Sequence, residues 1–239
     1  RQSPKITVMT FHRFALYWTP PEGPFSAFGA DWFGWDIARG AAHAAPPFEE
    51  ATRTPRKYGF HATIKPPFRL APDTSLTALQ TATEALCASL PPVTLDGLAI
   101  TRIGRFLALT GQGDLSTLNA TAAELVAGLD PFRAALSDVE LAKRRRTRLT
   151  PDQDKLLQQW GYPYVMEAFR FHMTLTGNLP SEATPPIEAH LQTALAPFLG
   201  PCKIEDFTLC GEDAAGHFHQ LSRHPLCGLT RPRNENGEP

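Results

Sequence analysis

The sequence predicts an α+β fold built from two similar halves. Three observations carry this. Short apolar runs rich in aromatic and β-branched residues are bounded by Pro and Gly, as strands are. Between them lie stretches with apolar residues at helical spacing. The order strand, helix, hairpin then occurs twice along the chain. Residue identity between the halves is weak, so the echo is one of architecture.

Taken in order, Phe14–Trp18 reads as a strand that stops at Pro20-Pro21. Residues 20–50 are rich in Gly, Pro and aromatics, with a short helix over Ser26–Phe33. Gly59–Leu70 starts as a strand, with Pro66-Pro67 as its expected stop. Leu76–Leu90 carries a helical stripe. Val93–Ile100 and Arg105–Leu109 read as strands of a hairpin through Gly104. Leu115–Leu129 and Pro131–Leu141 read as helices. Thr150 caps a helix through Trp160, with Pro151 at its first position. Ala168–Gly177 is expected as a strand, Ile187–Phe198 as a helix, and Ile204–Cys210 and His217–Leu221 as strands.

At 239 residues the chain suits one domain of two lobes, expected over 9–229. Arg1–Val8 read as a leader before Met9, and 230–239 as a disordered polar tail. Twenty-three basic residues against 24 acidic ones exclude a strongly cationic nucleic-acid coat. No apolar run approaches the ~18 residues a membrane span needs. The four cysteines form no Cys-x-x-Cys pair, so free thiols in a reducing cytoplasm are expected, with Cys202 and Cys210 as core filler.

Two segments carry chemistry: Phe60-His61-Ala62-Thr63-Ile64 and Phe171-His172-Met173-Thr174-Leu175. In a strand, side chains alternate between faces. His61, Thr63 and Lys65 then share one face, and Arg170, His172, Thr174 and Thr176 share another. The intervening residues are apolar and suit a core. Cleaving a phosphodiester needs a base for the nucleophile and an acid for the leaving oxygen, and imidazole serves as either near neutral pH. The Thr hydroxyls can donate to nonbridging oxygens. Acid, base and donors are thus supplied by side chains, with no cofactor and no metal expected.

With these motifs, and with Arg13–Tyr17, Tyr58–Arg69, Trp160–Val165 and Phe169–Gly177, the chain resembles the two-histidine (2H) phosphoesterase superfamily, and within it a bacterial branch associated with phosphonate-utilisation operons. The resemblance covers roughly residues 12–228. It implies a bilobal α+β fold in which two antiparallel sheets, flanked by helices, surround a central cleft. It implies cyclic phosphodiester or related phosphoester chemistry, with His61, Thr63, His172 and Thr174 in the catalytic positions. A ribose 1,2-cyclic phosphate bearing a 5-phosphate is the substrate that the phosphonate link suggests. The partner is then a small phosphorylated substrate, with RNA less favoured and no membrane. The rivals are an RNA-end-processing 2′,3′-cyclic phosphodiesterase or 2′,5′ ligase, and a module that binds a nucleotide or sugar phosphate without turnover.

Tyr17, Lys65, Arg170 and Thr176 are further candidates for substrate binding. The basic run Lys143–Arg148 reads as a solvated helix end more than as a phosphate grip. His217 and His219 are spaced like a metal pair, but no carboxylate at fitting spacing joins them, and strand-surface histidines are the expectation.

Overall fold

In the computed structural model, which describes residues 10–229, the expected leader and tail lie outside the described residues. The chain opens with β1 (Arg13–Trp18) and α1 (Pro24–Phe33), then the two-residue strands β2 (Trp35–Asp36) and β3 (Ala41–Ala42) and the short α2 (Glu49–Thr52). A 3₁₀ turn at Arg56–Tyr58 leads into β4 (Ala62–Phe68), followed by α3 (Leu76–Ser89), β5 (Val93–Leu95), β6 (Gly97–Ile103), β7 (Phe106–Gln112) and α4 (Ser116–Gly128). Then come α5 (Asp138–Arg145), α6 (Pro151–Trp160), β8 (His172–Thr174), α7 (Thr184–Leu195), β9 (Cys202–Ile204), β10 (Asp206–Glu212) and β11 (Phe218–Pro225).

The main sheet runs β11-β10-β1-β4-β8-β7-β6, antiparallel throughout. It is one continuous seven-stranded sheet whose two halves meet at β4 and β8 through the single pair Ala62 and Met173. A separate two-stranded ribbon pairs β5 with β9. The apolar residues of the sequence pattern, among them Leu16, Ala62, Ile64, Phe171 and Met173, form one buried face. It packs against Leu79 of α3, Leu118 and Leu125 of α4, and Leu191 of α7. Burial of this kind contributes about 25 cal/mol per Å² of apolar surface and is the main force holding helices to sheet.

The other face is partly covered. Ala15, Tyr17 and Cys210 pack there under Trp35 and Ile37. The indole N–H groups of Trp32 and Trp35 donate to the carbonyls of Leu175 (2.7 Å) and Phe218 (2.9 Å). Within the Gly/Pro/aromatic segment, Trp35 and Ile37 pack on this face, whereas Trp32 and Phe33 are part of the main core.

Local signals explain most boundaries. Thr150 and Gln153 form a capping box, Pro151 stands at the first position, and Gly161 ends α6 at φ 73°. Four expectations need correction. No helix covers 131–141: a 3₁₀ turn at Asp130–Phe132 is followed by extended chain, and α5 starts only at Asp138, where Ser137 and Glu140 form a capping box. The expected strand 93–100 divides at Asp96 between β5 and β6, which belong to different sheets. β4 continues through Pro66-Pro67, because beyond Ala62 that edge has no ladder with β8 to lose. β8 is only three residues long, and 166–168 form a 3₁₀ turn instead of its expected start. Among the described residues no helix is long and apolar enough to cross a membrane. Cys87, Cys202, Cys210 and Cys227 are free thiols; Cys210 is fully buried and Cys202 packs against the core.

Candidate active site

The pairing of Ala62 with Met173 fixes the arrangement of both His-x-Thr segments. Both residues are fully buried on the core face. Their neighbours therefore point to the opposite face, and the antiparallel run sets Thr63 across from His172 and His61 across from Thr174. Such cross-strand neighbours lie about 4.5–5.5 Å apart at Cβ. All four side chains are half-buried. The face thus carries two imidazoles and two hydroxyls in a pseudo-twofold square.

Each imidazole is held in the same way. His61 Nδ1–H donates to the carbonyl of Gly59 at 3.0 Å, and His172 Nδ1–H to that of Arg170 at 2.8 Å, in each case the residue two before. A carbonyl only accepts, so Nδ1 carries the proton and Nε2 is the nitrogen left for chemistry. Gly59 stands at φ 70°, and a Cβ there would meet Ile37 at 2.8 Å, so the turn that aims its carbonyl at His61 requires glycine.

The surroundings of His61 are the more enclosed. Its ring stacks on Tyr17 at 3.9 Å and lies 6.1 Å from Tyr58. Thr63 Oγ1–H donates to its Nε2 at 3.1 Å. Burial pushes its pKa down to about 4; the Gly59 carbonyl works against that shift, and the nearby His172 adds a smaller downward push. His61 is therefore neutral at ordinary pH.

On the other side of the square, β7 places Thr110 beside His172 and Ala108 beside Thr174. Thr110 and Thr101 share a hydrogen bond of 2.7 Å between their hydroxyls, and Phe106 lies 6.3 Å from the His172 ring. The sequence pattern ends this strand at Leu109 and so misses Thr110. The Thr-rich alternation of Thr101 and Thr110 about their hairpin is the available signal.

Two of the expected substrate-binding residues are elsewhere. Tyr17 and Thr63 are paired across β1 and β4, yet Leu16 pairs with Lys65, so Ile64 and Lys65 together oppose one residue of β1. This bulge breaks the period of two. Lys65 consequently points toward α4, where it is 2% exposed and donates to the Val126 carbonyl (2.9 Å) and to Asp130 (3.2 Å). The second motif does likewise. The N–H groups of Leu175 and Thr176 both donate to the Leu107 carbonyl, and buried Thr176 accepts from the Leu107 N–H at 3.0 Å. Lys65 and Thr176 are thus structural.

Tyr17 is on the site face, but its hydroxyl is buried with no hydrogen-bond partner among the described residues, and burial drives its pKa well up. Its contact with the site is the stacked ring. Arg170 is exposed and its guanidinium turns back to the carbonyls of Glu167 and Phe169. Its backbone carbonyl is what touches the site. His219 Nε2–H donates to Asp213 at 2.7 Å, and His217 lies on the Trp35 ring at 4.3 Å. Among the described residues no three His, Cys, Asp or Glu side chains gather as metal ligands do.

Residues 63–219 match the model of a family described as "Protein of unknown function (DUF1045)". The chain belongs to the DUF1045 family. Two curated proteins are similar to this DUF1045 chain, both called "Ribose 1,5-bisphosphate phosphokinase PhnN". The one from Janthinobacterium sp. (strain Marseille) is 34% identical over 248 residues, covering 94% of this chain and 53% of that protein. The one from Laribacter hongkongensis (strain HLHK9) is 32% identical over 244 residues, covering 95% and 55%. The chain thus spans about half the length of these relatives. Among solved structures, E. coli LigT complexed with 3′-AMP aligns over 91% of this chain and 99% of its own, at 16% identity and a TM-score of 0.46. TT0787 of Thermus thermophilus aligns over 90% and 98%, at 17% identity and a TM-score of 0.43.

Proposed function

We propose that this chain is a phosphoesterase that opens a cyclic phosphodiester, or a closely related small phosphoester, with His61 as base and His172 as acid. The observation that supports it most is the square of His61, Thr63, His172 and Thr174, set by one residue pair between two strands. Two imidazoles with Nδ1 tied back to a carbonyl, and with His61 Nε2 engaged only by the rotatable Thr63 hydroxyl, suit opposite ends of one phosphate.

In this reading the substrate phosphate lies over the square. The Thr63 hydroxyl, which rests on His61 Nε2, turns to a nonbridging oxygen and leaves that nitrogen open. Neutral His61 takes a proton from water as its oxygen bonds to phosphorus. Protonated His172 gives its proton to the sugar oxygen as the ring P–O bond breaks. Thr63 and Thr174 hold the negative charge that grows on the nonbridging oxygens. The product is a phosphomonoester.

A ribose phosphate is the leading substrate class, since the similar proteins are named for ribose 1,5-bisphosphate. The sequence contains no Gly-x-x-x-x-Gly-Lys-[Ser/Thr] loop, and we propose no kinase step for it. The test is turnover of ribose cyclic phosphates, nucleoside 2′,3′-cyclic phosphates and short RNA, with products followed by phosphorus NMR. Ring opening of at least one small cyclic phosphate is expected. Tight binding of these compounds with none opened would overturn the reading in favour of a binding module.

A further inference from the structure

The two halves of the site face are finished differently. On the side of β1, β10 and β11, Tyr17, Trp35, Ile37 and Phe218 are buried in one cluster, with Tyr58 packed against it. On the side of β7 and β6, the register puts Ala108 and Thr110 beside the square, with Thr101 and Ala99 beyond them. Paired residues of an antiparallel ladder share a face, so these four continue the surface on which His172 and Thr174 stand. Ala108 is fully buried, and Ala99, Thr101 and Thr110 are half-buried.

Thr110 is paired directly with His172, about 5 Å away at Cβ, on the side opposite Thr63. Its hydroxyl shares a 2.7 Å hydrogen bond with that of Thr101. Both hydroxyls also stand near the Ala99 carbonyl, at 3.5 Å from Thr101 and 3.4 Å from Thr110, and Gln112 Nε2 donates to Thr110 at 3.4 Å. Each hydroxyl has one proton to give and two lone pairs to receive with. The short bond uses one proton and one lone pair of the couple, and the other contacts are long and weak. The couple is therefore held in place while it keeps the capacity to donate and to accept.

Among the described residues, no charged side chain of β6 or β7 shares this face. An anionic group would find no counter-charge on these strands, and an ammonium group no carboxylate. A neutral hydroxyl, which donates and accepts at once, matches the couple. Phe106, half-buried and 6.3 Å from the His172 ring, adds an apolar edge that suits the C–H face of a sugar. In the proposed reaction the attacking water and the leaving oxygen lie roughly in line across phosphorus, water toward His61 and leaving oxygen toward His172. The carbon skeleton bonded to the leaving oxygen then lies over β8 and β7, above Thr110.

We infer that Thr110, braced by Thr101, determines specificity for the leaving group: its hydroxyl binds a free hydroxyl on the carbon next to the one whose oxygen His172 protonates. The inference rests on the phosphoesterase reading and adds to it what the leaving carbon skeleton must carry. It favours a cyclic phosphate that keeps a free neighbouring hydroxyl over a nucleoside 2′,3′-cyclic phosphate, in which neither ring carbon flanking the cyclic phosphate bears one.

Two measurements test it. The first is kcat/KM for ring opening of ribose 1,2-cyclic phosphate and of its 3-deoxy counterpart. Wild type should prefer the hydroxylated compound by about 3–10-fold, the scale of one neutral hydrogen bond. In Thr110→Val, which keeps the shape of the side chain, the preference should fall toward one. Thr110→Ser should keep most of it, and Thr101→Val, which removes the brace, should keep part. A wild type without the preference overturns the inference. So does a folded Thr110→Val that keeps the preference, or one that loses equally on both compounds, which marks a structural role. The second is calorimetric binding of the same two compounds to His61→Ala, which needs no turnover. The 3-hydroxyl should tighten binding about 3–10-fold, and adding Thr110→Val should erase that gain. Binding that ignores the hydroxyl overturns the inference even if the enzyme is active. Hydroxyl-dependent binding through Thr110, in a protein whose wild type opens neither compound, overturns only the phosphoesterase reading.

Discussion

The ring of Tyr17 stacks on the imidazole of His61, with centroids 3.9 Å apart and planes 28° apart. This contact removes water from one face of the imidazole. Burial is the leading reason that the His61 pKa falls to about 4. A base that is neutral down to that pH places the acid limb of kcat/KM near 4, well below the ordinary imidazole value of about 6.5. Tyr17→Leu should raise that limb toward 6.5. Tyr17→Phe keeps the stack and should keep the limb low. A limb that stays put in Tyr17→Leu would remove Tyr17 from the tuning of His61.

The same shift bears on folding. Between about pH 6.5 and 4 the unfolded chain takes a proton on His61 that the folded chain refuses. Stability should therefore fall as pH drops through this window. The fall should be shallower in Tyr17→Leu than in Tyr17→Phe, measured by urea unfolding at several pH values.

Lys65 and Thr176 separate structural from functional roles. Thr176→Val leaves the buried Leu107 N–H without its acceptor and should cost about 1–3 kcal/mol of stability. Its kcat per folded molecule should remain within about threefold of wild type. Lys65→Met leaves Asp130 with Arg133 alone and uncovers the Val126 carbonyl, and should destabilise by a similar amount. Normal stability with lost turnover in Thr176→Val would return that residue to the substrate.

Turnover should persist after exhaustive chelation, because the proposed acid, base and charge-stabilising donors are all side chains. A strict requirement for added Mn²⁺ or Zn²⁺ would contradict this division of labour.

Much of this arrangement is legible in the sequence. Phe60-His61-Ala62-Thr63-Ile64 and Phe171-His172-Met173-Thr174-Leu175 read correctly as alternating strands, because local periodicity and burial agree there. Lys65 and Thr176 read incorrectly, since one extra residue at each bulge reverses the face, and bulges depend on the partner strand. The contact between β4 and β8 is invisible for the same reason: it joins residues 62 and 173 through a single pair. Helix 131–141 fails because composition favours it while the Ser137 cap, a local hydrogen-bonding choice, starts the helix later.

The central claim is that His61 and His172 act as one acid–base pair across a phosphate. Its most direct test is the kcat of His61→Ala, His172→Ala and the double variant on the best cyclic phosphate, each with folding checked by circular dichroism. Each single change should lower kcat by about 10²–10⁴-fold, the scale of a positioned acid or base. The double change should cost far less than the product of the two, because each group is useful mainly when its partner is present. A folded His61→Ala or His172→Ala protein with near-wild-type turnover would contradict the account.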